Sequence, residues 1–313
     1  MQPRKPSFSI FMRHKKAQFL RPAALTEPGH FDMIPIVILQ EKKMPLKELI
    51  HREIQKIGPA TSIAEAAKTM RQLKIGSLFV EENGHFTGIV TESDLVRKAV
   101  TRDIPFETPA RTVMNAPLVE IDIEKSVIEA NHLMHMNGIR HLAVSENGKV
   151  VGMISVRDLV RHFASDRESP LHQMGDILQP LTVLIRREIE TIEAAASSRD
   201  AARKMDAKKI GSIIVTEGGD YVGIATESDL VRKVIGYGLS PSTIPVGAIM
   251  NTPIVDIDIS RSIHEVNEIM ATKGVRHLGV TERGKIVGIL SIRDLIGMIS
   301  IRDYPRFLSA QSK

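Results

Sequence analysis

The chain has 313 residues, 42% of them hydrophobic and 25% charged, the composition of a soluble globular protein long enough for about two domains. It has no cysteine, which excludes disulfides and thiolate metal sites, and no apolar run approaches the ~18 residues of a membrane span. The formal charge of +5 is uneven: residues 1–46 hold eight Lys/Arg against three acids, the remainder is neutral, and so only that arm could grip a phosphate backbone.

The arm, residues 1–46, mixes Phe8, Ile10, Phe11, Phe19 and Leu20 with bases. It could meet an acidic partner, a membrane surface or nucleic acid, and the bland alternative is a disordered tail or a start codon placed too early, with Met33 or Met44 as the first residue. Its apolar run MIPIVIL contains Pro35 and lacks a small-residue cleavage site, so no signal peptide is expected. Next, SIAEAAKTMRQL at 62–73 puts Ile63, Ala66, Ala67, Met70 and Leu73 at helical spacing. SLFVEENGHFTGIVT then gives two strand-like runs around Asn83-Gly84, a strong hairpin signal. The second strand runs into TESDLVRKAV, whose Leu95, Val96 and Ala99 return to a period of 3.6.

This order recurs four times. [ST]-x-x-D-L places aspartates at 94, 158, 229 and 294, and the turn position carries Asn147-Gly148, Gly218-Gly219 and Arg283-Gly284 in the later copies. Copies one and three share TESDLVRK and KIGS; copies two and four share VMNAP with IMNTP and GIRHL with GVRHL. A pair of units was therefore duplicated. With short strands such as LVEID and IVDID before the first helix, each unit reads β-α-β-β-α, an α/β (α+β) class. Copy three departs: AAASSRDAA replaces PATSIAEAA, Ser198 replaces Ile63, and its first helix is expected to start earlier.

Four such units, each closed by a Gly-containing strand and [ST]-x-x-D-L, resemble the CBS-domain family over roughly residues 47–303. The resemblance implies units paired by their sheets into two modules, 47–168 (47–108 and 109–168) and 169–313 (169–242 and 243–303), often called Bateman modules. It also implies clefts that bind adenosine ligands: AMP, ADP, ATP or S-adenosylmethionine.

Two readings of T-x-x-D stand side by side. A Ser or Thr with an acid three residues on is a capping box, worth ~0.5 to 2 kcal/mol on any helix. Gly88, Gly152, Gly223 and Gly288, inside strands, mark the close approach of a ligand or of another backbone. A helix N-terminus with a hydroxyl beside it suits a phosphate, and an ionised Asp one turn in can accept two hydrogen bonds from a ribose diol. The resemblance implies ribose binding at Asp94, Asp158, Asp229 and Asp294, and phosphate binding beside Thr91, Ser155, Thr226 and Ser291. Ile89, Met153, Ile224 and Ile289 are candidates for the adenine slot or for core. Ile75-Gly76-Ser77 and Ile210-Gly211-Ser212 could read the base edge or end a helix.

Even copies carry Arg157 and Arg293 between the Ser and the Asp, together with Arg140-His141 and Arg276-His277, all candidate phosphate contacts; the Arg-His pairs could instead cap a helix C-terminus. Odd copies carry Glu92 and Glu227, expected to compete with a phosphate for the helix dipole, so the Asp158 and Asp294 sites should bind more tightly than those of Asp94 and Asp229. His132 and His135 have no evident third partner, so no metal site is expected.

No catalytic motif is visible. The expectation is a cytoplasmic, non-catalytic sensor of an adenosine nucleotide that acts by conformational change on an effector protein, with modules associating within the chain or as a homodimer. The alternatives are a structural or dimerisation scaffold, or a nucleic-acid-binding regulator working through its arm.

Overall fold

The computed structural model describes residues 45–165 and 181–300. Residues 1–44 of the N-terminal arm, residues 166–180 and the last thirteen residues lie outside them. Four three-stranded sheets are present, each with a parallel pair followed by an antiparallel one. In copy one these are β1 (Lys56–Ile57), β2 (Ser77–Glu82) and β3 (His85–Thr91); in copy two, β4 (Glu120–Asp122), β5 (His141–Glu146) and β6 (Lys149–Ser155). Copy three has β7 (Thr191–Glu193), β8 (Ser212–Glu217) and β9 (Asp220–Thr226), and copy four β10 (Asp256–Asp258), β11 (His277–Glu282) and β12 (Lys285–Ser291).

The hairpin turns form where the sequence places them. Asn83 and Gly84 both have positive φ, as do Asn147-Gly148, Gly218-Gly219 and Arg283-Gly284, the backbone that a two-residue hairpin of matching twist requires. Each hairpin also shifts register at one point, Val80/Glu81 in copy one and its equivalents elsewhere.

The first helices are Ile63–Leu73, Val127–Met136, Ser198–Ala207 and Ile263–Lys273. In copy one Ile63, Ala66, Ala67 and Met70 are buried, whereas Leu73 of the predicted stripe is 48% exposed. Copy three does not start early: its helix opens at Ser198 behind the N-cap Ser197, in register with Ile63 behind Ser62. Ser198 keeps the buried position because its hydroxyl donates to the Ile244 carbonyl at 2.8 Å, which satisfies the polar atom that replaces an apolar one. The closing helices are Glu92–Asp94, continuing as a π-helix over Leu95–Val100, then Val156–Ser165, Glu227–Lys233 and 292–300.

Packing joins the copies in two ways. Within each module the entry segments are exchanged. Leu46, ahead of copy one, is fully buried in the core of copy two, and His51 bridges to Met153 of β6. Conversely, Asn115, ahead of copy two, bridges to Ile89 of β3, and Arg186 and Asn251 repeat the pattern on Ile289 and Ile224. Across modules, one apolar core joins copies one and three (Met70, Leu95 and Val96 with Met205, Leu230 and Val231). The other joins copies two and four (Met134, Leu159 and Phe163 with Met270, Leu290 and Leu295). Full burial of such a side chain contributes ~1.5 to 3 kcal/mol, so these two cores hold the modules together. Two buried asparagines fix the second core in register: Asn131 Nδ2 donates to the Ile296 carbonyl and Asn267 Nδ2 to the Val160 carbonyl, each at 3.0 Å.

Candidate functional site

The four T/S-x-x-D elements all close on themselves. In each, the Asp carboxylate accepts the Ser/Thr backbone N–H at 2.8–3.0 Å and its hydroxyl at 2.6 Å. Thr91 and Thr226 complete full capping boxes. The hydroxyl proton is spent on the aspartate, so it is not the free phosphate donor that the sequence suggested. One Asp oxygen does this work in every copy, and the other distinguishes the copies.

In odd copies the remaining capacity is taken. Asp94 Oδ1 accepts Asn115 Nδ2 at 2.8 Å and pairs with Lys98 at 2.9 Å. Asp229 receives Asn251 Nδ2 at 2.8 Å on Oδ2, the capping oxygen, and pairs through Oδ1 with Lys233 at 2.9 Å. In even copies the hold is lighter: His51 Nε2 lies 2.9 Å from Asp158 Oδ1, and Arg186 Nη2 lies 3.6 Å from Asp294 Oδ1.

The strand glycines serve backbone approach rather than a ligand. A Cβ on Gly88 would lie 2.7 Å from the Asn115 carbonyl oxygen, on Gly152 2.9 Å from that of His51, and on Gly288 2.9 Å from that of Arg186. On Gly223 it would lie 2.6 Å from Met250 Sδ. The exchanged entry segments cross the strands there, and only glycine leaves the room.

In each module a cavity lies between its two copies. That of the second module, about 670 Å³ counted to its mouth, is lined by Ile289, Ser291, Arg293 and Asp294 of copy four and by Ile210, Gly211 and Ser212 of copy three, with Arg276, His277 and Arg140 at its side. That of the first module, about 880 Å³ on the same measure, is lined by Ile89, Thr91 and Asp94 of copy one, Arg140 and His141 of copy two, and Arg293 of copy four. Both volumes include open solvent at the mouth. Asp158 and Asp229, with Met153 and Ile224, line neither of them. Ile224 is 8% exposed and belongs to the packed interior.

Between the modules lies a charged cluster that accounts for the repeated phrase. Glu92 and Glu227 are fully buried. Glu92 accepts Ser228 Oγ at 2.7 Å, Arg232 Nε at 2.8 Å and Arg276 Nη2 at 3.0 Å. Glu227 accepts Ser93 Oγ at 2.9 Å, Arg97 Nε at 2.7 Å and Arg140 Nη2 at 3.3 Å. Arg232 also donates to the Ile75 carbonyl, and Arg97 to that of Ile210. In TESDLVRK, Thr and Asp cap, Leu and Val pack, Lys holds the Asp, and Glu, Ser and Arg grip the same three letters in the other copy. The glutamates therefore do not compete at their own helix N-terminus, as the sequence suggested; they are committed across the module boundary. Their backbone N–H groups also take up the Gly76 and Gly211 carbonyls, leaving those less able to read a base.

Electrostatics follow from this packing. Burial alone would raise both glutamates, but Arg276 and Arg232 hold Glu92 below the usual carboxylate range, and Arg140 and Arg97 bring Glu227 down to about 2. His141 and His277 are pushed down to about 3, by burial and then by Arg140 and Arg276, so at neutral pH they offer neutral imidazoles rather than charge. Arg157 and Arg293 differ from the other four arginines. The Nε of each is buried without a hydrogen-bond partner. Burial first, then Arg276 for Arg157 and Arg140 for Arg293, lowers both to about 10. Six guanidiniums thus face two carboxylates.

Of the aspartates and even-copy arginines that the sequence singled out, Asp94, Asp294 and Arg293 line a cavity and Asp158, Asp229 and Arg157 line neither; Glu92, Ser93, Arg97 and their counterparts were missed as a unit. The signal was present: identical Glu, Ser and Arg at one spacing in two copies, which capping does not require. Among the described residues no group of three His, Asp or Glu could hold a metal ion, and His132 Nδ1 lies 2.8 Å from Ser300 Oγ. No helix among them is long and apolar enough to cross a membrane.

Comparison with known proteins gives one family. The model for the CBS domain matches residues 46–101, 110–165, 181–236 and 246–303. An uncharacterized 17.7 kDa protein of Acidianus ambivalens is 35% identical over 118 residues, 37% of this chain and 71% of that protein. A CBS domain-containing protein of Arabidopsis thaliana is 23% identical over 72% of this chain, which spans 48% of the plant protein. Among solved structures, a Methanocaldococcus jannaschii protein proposed as an archaeal homolog of g-AMPK aligns with TM-score 0.66 at 18% identity, over 82% of this chain and 99% of that one. An uncharacterized Pyrococcus horikoshii protein aligns with TM-score 0.55 at 19% identity, over 82% and 100%.

Proposed function

Since the chain belongs to the CBS-domain family, we propose that it is a regulatory sensor of an adenosine nucleotide of the AMP, ADP or ATP type, which binds without chemistry and passes its state to a protein partner. Arg293 carries this reading. It is a half-buried guanidinium with an unpartnered Nε, on the wall of a cavity that also presents Asp294, Ser291 and Ile289. Withdrawing a charge from water costs several kcal/mol unless a counter-ion repays it, and a ligand phosphate would do so. Asp294, with its second oxygen lightly held, would take the ribose diol, and Ile289 with Ile214 would face the base. On this reading the Asp294 site is the tighter one, Asp158 lining neither cavity, and the cysteine-free chain suits a reducing cytoplasm.

A scaffold reading is favoured by one observation, the four boxes in which the Asp accepts its own Ser or Thr hydroxyl. Mass spectrometry of small molecules released from purified protein, followed by thermal unfolding of the stripped protein with ATP, ADP or AMP, separates the two. A ligand at ~100 times its dissociation constant stabilises by ~2.7 kcal/mol. If no adenosine compound at millimolar concentration moves the unfolding of ligand-free protein, the scaffold reading stands.

A further inference from the structure

We propose that Arg140 and Arg276 are exchangeable guanidiniums, held by Glu227 and Glu92 and handed to a ligand phosphate on binding, so that occupancy of a cleft loosens the ion pairs between the modules. This rests on the nucleotide reading above and adds how the bound state reaches the other module. The geometry separates the four paired arginines into two kinds. Arg97 and Arg232 are each held twice, by a carboxylate through Nε and by a backbone carbonyl through Nη2. Arg140 and Arg276 are each held once, through a single Nη2, at 3.3 Å and 3.0 Å.

Both singly held arginines lie on cavity walls, a position they share with the doubly held Arg97. Arg276 lines the cavity of the second module and Arg140 lines both cavities. Glu227 lies just behind a cavity wall, whereas Glu92 lies beside Gly76, which lines neither cavity. A Cβ built on Gly211, which lines the second-module cavity, would be 3.6 Å from Glu227 Oε2, and one on Gly76 would be 3.3 Å from Glu92 Oε2. A phosphate entering beside Arg293 would therefore approach a guanidinium whose one bond is to a resident anion of like charge. Exchange leaves neither glutamate stranded: Glu227 keeps Ser93 and Arg97, and Glu92 keeps Ser228 and Arg232. That distinguishes exchange from breaking a buried pair outright, which leaves a charge uncompensated. Each exchanged bond crosses the module boundary, since Arg140 belongs to copy two and Glu227 to copy three, while Arg276 belongs to copy four and Glu92 to copy one.

The test uses the full chain and three probes, ATP, AMP and adenosine, by calorimetry on wild type, Glu227→Gln and Glu92→Gln. Removing the resident charge should tighten ATP about tenfold or more while leaving adenosine within twofold. If wild type binds ATP and the ratio of ATP to adenosine affinity is unchanged in both variants, exchange is wrong and the nucleotide reading survives. If ligand-free wild type binds none of the three, both fall. Should either variant fail to fold, arginine side-chain NMR of wild type decides: ATP, and not adenosine, should shift Arg140 and Arg276 while Arg97 and Arg232 stay in place. Unmoved Arg140 and Arg276 signals in ATP-saturated protein would overturn the proposal.

Discussion

Glu92 and Arg232 belong to different modules, and the carboxylate Oε1 of the first accepts the Nε–H of the second at 2.8 Å; Arg97 and Glu227 make the mirror contact at 2.7 Å. The same eight letters supply both halves of the pair.

Truncating one side of this contact should cost far more than a surface ion pair. Arg232→Ala and Arg97→Ala each remove a charged hydrogen bond from a fully buried carboxylate that keeps its second arginine, an expected loss of about 1.5–3 kcal/mol in chemical denaturation. Arg293→Ala removes a guanidinium from a crowded positive cluster, so it should leave stability unchanged or raised while weakening ATP more than adenosine. A loss for Arg293→Ala as large as for Arg232→Ala would show that the six arginines are equivalent.

Acid should unfold the protein in two overlapping windows. His141 and His277 are lowered from the ordinary 6.5 to about 3 in the folded state, so between those values the unfolded chain binds more protons and stability falls as pH drops. The slope is at most about 1.4 kcal/mol per pH unit for each histidine. Glu227, lowered from 4.5 to about 2, adds a loss in the same direction as pH falls from 4.5 towards 2. Denaturation midpoints against pH should flatten above pH 5 in His141→Asn/His277→Asn, and an unaltered profile in that variant would show that neither imidazole is held neutral.

The aspartates should not respond alike. Asp294→Ala is expected to weaken ATP by roughly one to two decades, for the loss of bonds to a charged acceptor, against ~1 kcal/mol of capping stability. Asp94→Ala should lose similar stability and less affinity, because Lys98 and Asn115 already occupy its second oxygen. Calorimetry with ATP alongside thermal unfolding measures both, and equal affinity losses at the two positions would contradict the ranking of the sites.

Gly288→Ala and Gly152→Ala should each destabilise by ~1 to 3 kcal/mol, since the added methyl would meet a carbonyl oxygen at 2.9 Å and the crossing segment must shift. Thermal unfolding without ligand checks this; a loss seen only in ligand affinity would restore the view that these glycines make room for a ligand.

What the sequence could announce was set by local rules. Hairpins at Asn83-Gly84 and Asn147-Gly148 follow from backbone sterics, and the amphipathic stripe of Ile63, Ala66, Ala67 and Met70 from helical period. Leu73 broke the stripe because the helix ends there, beside a left-handed Lys74. The expected early start of copy three failed because Ser198 looked too polar to be buried, and its acceptor, the Ile244 carbonyl, is 46 residues away. The purpose of Glu92 was hidden for the same reason: its partners lie 136 to 184 residues along the chain, and nothing within one repeat betrays them.

The duplication leaves a mark beyond economy of sequence. Because Glu92 meets Ser228, Arg232 and Arg276, the counterparts of Ser93, Arg97 and Arg140, residues 45–165 already contain both sides of the charged contact. Cut between its modules, the chain would yield halves that are each self-complementary, able to meet a second copy of themselves about a two-fold axis. Covalent linkage frees the two halves from identity: each cleft can drift in chemistry while the handclasp between them is kept letter for letter.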